Sequence, residues 1–232
     1  CKEKGASGAY FRSDLETTRE SSCYNSLNMV NQYAAAMLTK DLNTDLDDIY
    51  KAWINDGVVK TLLPGSFNQI PVRPTAPDAW KRFRDFMHAS WKVMEKTHYV
   101  RGHVFLVNGK IPLNMWEADG MMITIHGRED WDPGSDKLIE PTEENIRVIM
   151  REKEDALDKV QKLSSILDVD TIGLPQDLAD DIKEVLDLYY YYVKMIKAST
   201  EAIFFTKKAM ITKSADDIKT AKQANKYLGK DI

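Results

Sequence analysis

Residues 142–167 read TEENIRVIMREKEDALDKVQKLSSIL, and the fold class turns on them. Thr142 stands where a helix N-cap belongs, and Ile146, Ile149, Met150, Leu157, Val160, Leu163 and Leu167 follow at helical spacing on one face. The chain continues in the same manner. Pro175 opens a helix carrying Leu178, Ile182, Val185, Leu186, Tyr189, Val193 and Ile196, with reach past Phe204. Ser214 starts a last one through Ile218, Ala221 and Leu228, closed by Gly229. Three amphipathic helices joined by short links predict an antiparallel bundle.

The same period governs the chain upstream. Cys23, Leu27, Val30, Ala34, Met37 and Leu38 form one stripe on a helix ending near Lys40. Thr44 is the expected N-cap of a second helix with Leu46, Ile49, Tyr50, Trp53 and Ile54 inside and Gly57 as its stop. The short link predicts an antiparallel helical hairpin. After a loop from Pro64 to Pro77 rich in Pro, Gly and Asn, a third helix opens beyond Thr75, with Pro77 in its first turn. Its expected apolar face is Trp80, Phe83, Met87, Trp91 and Met94, with Arg82, Arg84, Asp85 and Lys92 mostly on the other side.

Residues 99–140 interrupt the helical pattern. Val104 to Val107, then Asn108-Gly109, then Lys110 to Leu113 reads as a β-hairpin, because Asn-Gly supplies the positive φ angles of a type I′ turn. Pro112 makes the second arm an edge strand, and Met121 to Ile125 is a candidate third strand. The expected fold is mainly α, an antiparallel helical bundle with a small β-hairpin insertion. In chain order it divides into an incoming segment (1–20, the end of a preceding domain), a helical subdomain with hairpin and long polar loop (21–140) and a C-terminal helical bundle (141–232).

Composition bounds the function. At 232 residues with 43% hydrophobic and 29% charged, the chain is long and apolar enough for a substantial core. With 32 basic against 36 acidic residues there is no cationic excess for phosphates, which argues against nucleic acid as a partner. No apolar run approaches the roughly 18 residues of a membrane span. Two cysteines, Cys1 and Cys23, make no disulfide framework, and Cys23 reads as a small buried apolar side chain. Cys1 has two readings: the acylated first residue of a lipoprotein, or a boundary within a longer chain. The run from Cys1 to Arg12 resembles the end of a βα unit more than a polar tether, which favours the second.

The loop from Asn114 to Asp136 concentrates unusual chemistry. Trp116, Glu117, Asp119, His126, Arg128, Asp130 and Trp131 are its candidate ligand-binding residues. Indole faces stack on pyranose rings, while carboxylates and guanidinium groups bind hydroxyls, so the combination suits a sugar. The alternative is a polar loop pinned to the helices by its tryptophans. A sugar site requires an exposed indole in a concave groove with a carboxylate or Arg128 nearby. Glu117 with Asp119, and Glu129 with Asp130, are the only candidate acid pairs, and nothing in the sequence sets their pKa values apart. No catalytic residue is assigned.

His98, His103 and His126 match no metal-ligand spacing, and Gly5-Ala6-Ser7-Gly8 matches neither a P-loop nor a dinucleotide fingerprint. No metal or cofactor is expected. Tyr189 to Tyr192 span all sides of a helix, so some rings leave the buried stripe. Tyr190, Tyr191 and Phe205 are candidate interface residues, against the alternative that they cover a neighbouring helix of the same chain.

Gly8-Ala9-Tyr10-Phe11-Arg12-Ser13-Asp14, Cys23 to Asn28, Asn31-Gln32-Tyr33 and Asp45 to Trp53 carry a family resemblance. They resemble the junction in α-glucuronidase-like glycoside hydrolases where the last barrel strand yields to a C-terminal helical domain. The likeness is clearest over residues 8–55. It implies an accessory helical domain that braces the catalytic barrel, helps it dimerise and edges the substrate cleft, in a secreted or periplasmic carbohydrate-active enzyme. The family's catalytic carboxylates lie on barrel strands upstream, so none is carried onto this chain. The implied partners are the catalytic domain of the same parent protein, a second copy, and carbohydrate. A free-standing, lipid-anchored glycan-binding protein is the alternative.

Overall fold

The computed structural model describes residues 29–54, 76–104, 128–173 and 176–228. The fold is mainly α, a helical bundle. Its helices are α1 (Met29–Lys40), α2 (Leu46–Ile54), α3 (Ala79–His98), α4 (Glu143–Val160), α5 (Leu163–Leu167), α6 (Gln176–Thr212) and α7 (Ala215–Leu228). Contacts divide the chain into two compact units. Unit one comprises Cys1–Met87 and Ser164–Lys183; unit two comprises His88–Leu163 and Glu184–Ile232. The division falls within α3 and within α6.

In unit one, α1 and α2 pack as neighbours across a short turn. The cap of α2 is Asp45 rather than the expected Thr44. The Asp45 carboxylate accepts from the Asp47 amide at 2.7 Å, while the Thr44 hydroxyl donates back to the Asp41 carbonyl. Trp53 is fully buried, with the Tyr33 ring centred 5.7 Å away, and Phe83 meets Tyr50 edge-on at 6.0 Å. Arg84 donates to Asp47 at 2.8 Å, and Arg82 to Asp168 at 2.5 Å.

Unit two is built on Val100, Ile139, Ile146, Ile149, Ile196 and Phe204, with Met150, Tyr192 and Phe205 packed against them. The expected caps hold at both ends. Thr142 accepts from the Asn145 amide at 3.2 Å, and Ser214 from the Asp217 amide at 3.1 Å. At Lys213 the backbone turns left-handed, φ 54°, and α7 runs back along α6, with Asn225 donating to Thr206 and Lys208 paired to Asp217.

Two expected stripes shift. On α3 the buried side chains are Ala79, Trp80, Phe83, Phe86, Val93 and Thr97, while Trp91 is 48% and Met94 41% exposed. At 100° per residue, Trp91 lies roughly 120° round from the centre of the Phe83, Phe86, Val93 and Thr97 stripe. Thr97 is tolerated inside because its hydroxyl donates to the Val93 carbonyl at 2.7 Å. On α4 the buried face is Ile146, Ile149, Lys153, Ala156 and Val160, with Leu157 only half-buried. On α6, Leu186, Val193 and Ile196 are buried as expected, but Val185 is exposed. The small β-hairpin insertion is not supported. Among the described residues the β structure is one two-residue antiparallel pair, Tyr99–Val100 (β1) with His103–Val104 (β2). The Asn108-Gly109 turn and the candidate strand at 121–125 lie outside the described residues.

Lys153 takes the central position of the α4 face. Its ammonium donates to the carbonyls of Lys96, Thr97 and Tyr99 at 2.6, 2.8 and 2.7 Å. The first two are carbonyls that the end of α3 cannot satisfy internally, and the third belongs to the first residue of β1. Burial pushes the Lys153 ammonium down from 10.5 to about 7, with the Glu152 carboxylate pulling weakly the other way. Between those two values the unfolded chain holds a proton that the folded chain has released, so stability rises with pH across that window. Lys153→Met should cost roughly 3 kcal/mol near neutrality, because three buried carbonyls lose their donor. Urea unfolding from pH 7 to 10 should show the wild-type chain gaining stability relative to the Met variant. Parallel pH profiles would sink this assignment.

Candidate functional site

The site forms where α3 ends. Val100-Arg101-Gly102-His103 closes the β pair with Arg101 at φ 51° and Gly102 at φ 81°, the two positive angles of a type I′ turn. The Arg101 amide donates to Glu152 Oε2 at 3.1 Å, and the Arg101 guanidinium stands 3.7 Å from Glu152 Oε1. The Arg101 carbonyl accepts from Arg128 Nη1 at 2.5 Å. Gly102 is required twice over. Its φ is left-handed, and a Cβ there would run into the Arg128 guanidinium, whose Cζ would lie at 3.1 Å.

Arg128 begins a 3-10 turn, Arg128–Asp130, that delivers Trp131. Its Nε and Nη2 face Asp132 Oδ2 at 2.8 and 2.7 Å, and its guanidinium lies 5.7 Å from the Trp131 ring centre. The indole, supported from that side, remains 73% exposed. The resulting cleft of about 500 Å³ has an aromatic lining of Trp91, Tyr99 and Trp131. Glu95, Lys96, Arg128 and Glu152 supply its charged groups, and the wall thins at Gly102.

The structure thus brings Arg128 and Trp131 together. Asp130 is exposed and is not among the residues lining the cleft. Trp116, Glu117, Asp119 and His126 lie outside the described residues. Glu129 serves the backbone: it accepts from the amides of Gly134 and Asp136 at 2.6 and 2.9 Å, and those bonds hold its carboxyl below the usual carboxylate range. Sequence reasoning missed Trp91, Tyr99, Glu95, Lys96 and Glu152 as lining residues. Trp91 had been assigned to the buried face of α3. The charged residues Glu95 and Lys96, half-buried within the next turn, were the available signal.

Of the described histidines, His98 and His103 lie near polar side chains, although neither ring nitrogen of His103 is in hydrogen-bond geometry. His98 stacks obliquely on Tyr192, with Nε2 3.3 Å from the Tyr hydroxyl. Burial, then the Lys153 charge, lowers its pKa. His103 is buried with Nε2 3.3 Å from Asp136 Oδ1. Among the described residues no group of three or more His, Cys, Asp or Glu side chains is placed to hold a metal ion. Of the candidate interface residues, Tyr191 is 63% exposed and its ring meets Tyr190 edge-on at 5.4 Å, whereas Phe205 packs on the unit-two core. Tyr189 stacks on Tyr192, and burial pushes its hydroxyl up to about 12. Among the described residues no helix is long and apolar enough to cross a membrane.

Comparisons with protein-family models, curated proteins and solved structures return no match for this chain.

Two of the left-handed glycines, Gly102 and Gly134, provide a matched test of the site. Gly134, at φ 89°, has nothing within 4 Å of where a Cβ would stand, so Gly134→Ala carries backbone strain alone. Gly102→Ala adds the collision with Arg128. Strain alone should cost about 1 kcal/mol. Gly102→Ala should therefore lower the melting temperature further than Gly134→Ala and shift the Trp131 emission. Equal losses without an emission change would show that Gly102 does not set the Arg128–Trp131 geometry.

Proposed function

We propose that the cleft of unit two binds a saccharide, and that the chain is an accessory helical module of an α-glucuronidase-like glycoside hydrolase. The observation that carries the binding reading is Trp131, an indole left 73% exposed on a supporting guanidinium at the rim of a concave, charge-studded cleft. Leaving so large an apolar face in water forgoes on the order of 2 kcal/mol of burial, which a ligand can recover. A surface meant for a protein partner is usually flatter and ringed by apolar side chains. Here the neighbours are Glu95, Lys96, Arg128 and Glu152, the groups that direct hydroxyls.

The assignment to a hydrolase rests on the resemblance over residues 8–55. Under this reading the helices brace a catalytic barrel of the same parent protein and edge its substrate cleft. The chain would act outside the cytoplasm, secreted or periplasmic. Catalysis would belong to the barrel, and this chain would hold sugar without cleaving it.

Titration of the 232-residue chain with a panel of oligosaccharides, followed by intrinsic Trp fluorescence, should give saturable binding. Trp131→Ala should weaken that binding roughly tenfold, the worth of one aromatic stacking contact. An aryl glucuronide should not be turned over. A flat titration at millimolar sugar would remove the binding reading. Turnover abolished by Glu152→Gln would replace the accessory role with an enzymatic one.

A further inference from the structure

Resting on the saccharide reading of the cleft, we infer that the site selects electrically neutral sugar units and discriminates against uronates. Each charged side chain in its described lining is already matched. Lys96 pairs with Asp155, and Arg128 lies 2.7 Å from Asp132. Glu95 is 3.0 Å from Lys92, and Glu152 is 3.7 Å from Arg101. Two cations and two anions face the cleft, and all four have an opposite charge behind them.

A sugar carboxylate would need a fork of free N–H groups, as bidentate guanidinium recognition provides. Arg128 uses three of its five N–H groups, on Nε and Nη2 toward Asp132 and on Nη1 toward the Arg101 carbonyl, so its side-on fork is filled and one N–H on each Nη remains. Drawing it toward a uronate would break these bonds and remove the support under Trp131. Lys96 could turn to a uronate only by releasing Asp155. The incoming charge would meanwhile meet the like charges of the Glu95 and Glu152 carboxylates.

Neutral hydroxyls meet no such opposition. A carboxylate has about four acceptor sites, so Glu95 and Glu152 can each take a hydroxyl proton without giving up the cation they hold. The free face of Trp131 offers a platform to the C–H face of a pyranose ring, an apolar contact that carries no charge. The lining is therefore matched to a ring with hydroxyls and no ionised group. Binding of such a ring should be nearly indifferent to salt.

Paired probes test this on the whole chain by calorimetry: neutral tetrasaccharides of glucose, xylose and mannose against tetragalacturonate, and methyl glucoside against methyl glucuronide. The neutral member should bind at least tenfold more tightly. Its affinity should hold between roughly 50 and 500 mM salt, where screening of exposed charges changes greatly. Trp131→Ala should remove most of that affinity with the thermal transition unchanged. Equal or tighter binding of the uronate, weakening as salt rises, would overturn neutral selection while leaving saccharide binding intact. Failure of every probe to bind would overturn both.

Discussion

A buried ammonium at the end of a helix organises unit two. Lys153 is 1% exposed, yet it sits on a face otherwise made of Ile146, Ile149, Ala156 and Val160. Burying a charge costs several kcal/mol unless its hydrogen-bonding needs are met. When charged, the amine's three N–H donors meet three carbonyls at and just past the negative end of the α3 dipole, which offsets part of that cost, and burial still draws the group down to about 7. The bond set is reciprocal. α3 can end inside the protein because Lys153 takes its carbonyls, and Lys153 can be buried because α3 ends there. The next residues along the chain, Val100 to His103, can then reverse direction at once.

That reversal transmits the constraint to the surface. Glu152, beside Lys153 on α4, holds the Arg101 amide, so one turn of α4 fixes both the end of α3 and the start of the β turn. The turn in turn offers the Arg101 carbonyl to Arg128, and Arg128 supports Trp131. The exposed indole is thus four contacts removed from the buried amine. A platform held this way has little freedom left to lose when a ligand arrives, which favours binding.

The helices were legible in the sequence because their signals are local. Thr142 and Ser214 cap where side-chain chemistry says they should, and the α6 stripe through Leu186, Val193 and Ile196 follows its period. The misreadings share one cause. Size and hydropathy are poor proxies for burial: they favour Trp91 and Met94 inside α3 over Val93 and Thr97, and Leu157 inside α4 over Ala156, and the structure reverses both. Lys153 interrupts an apolar stripe at its centre, and such an interruption marks either an error of period or a charge with buried partners. Which one applies depends on a helix end more than fifty residues away in the chain, and no local pattern reports that. The Arg101-Gly102 turn was hidden similarly, since Arg seldom adopts positive φ unless tertiary contacts hold it there.

The charge matching in the cleft bears on how an α-glucuronidase-like parent would divide its labour. Such an enzyme must handle a substrate that carries a uronate. A carboxylate is best recognised by free guanidinium or ammonium groups, and both described cations in this cleft are engaged elsewhere. The uronate would then have to be read on the barrel. The helical module would hold the uncharged remainder of the chain by its hydroxyls and ring faces. Separation of the two tasks has a physical advantage. A cleft with free cations would attract any polyanion and lose selectivity to long-range charge, whereas stacking and paired carboxylates act only at contact. The module would add binding energy remote from the reacting bond, and in a hydrolase such remote contacts can be used to position and distort the sugar that reacts.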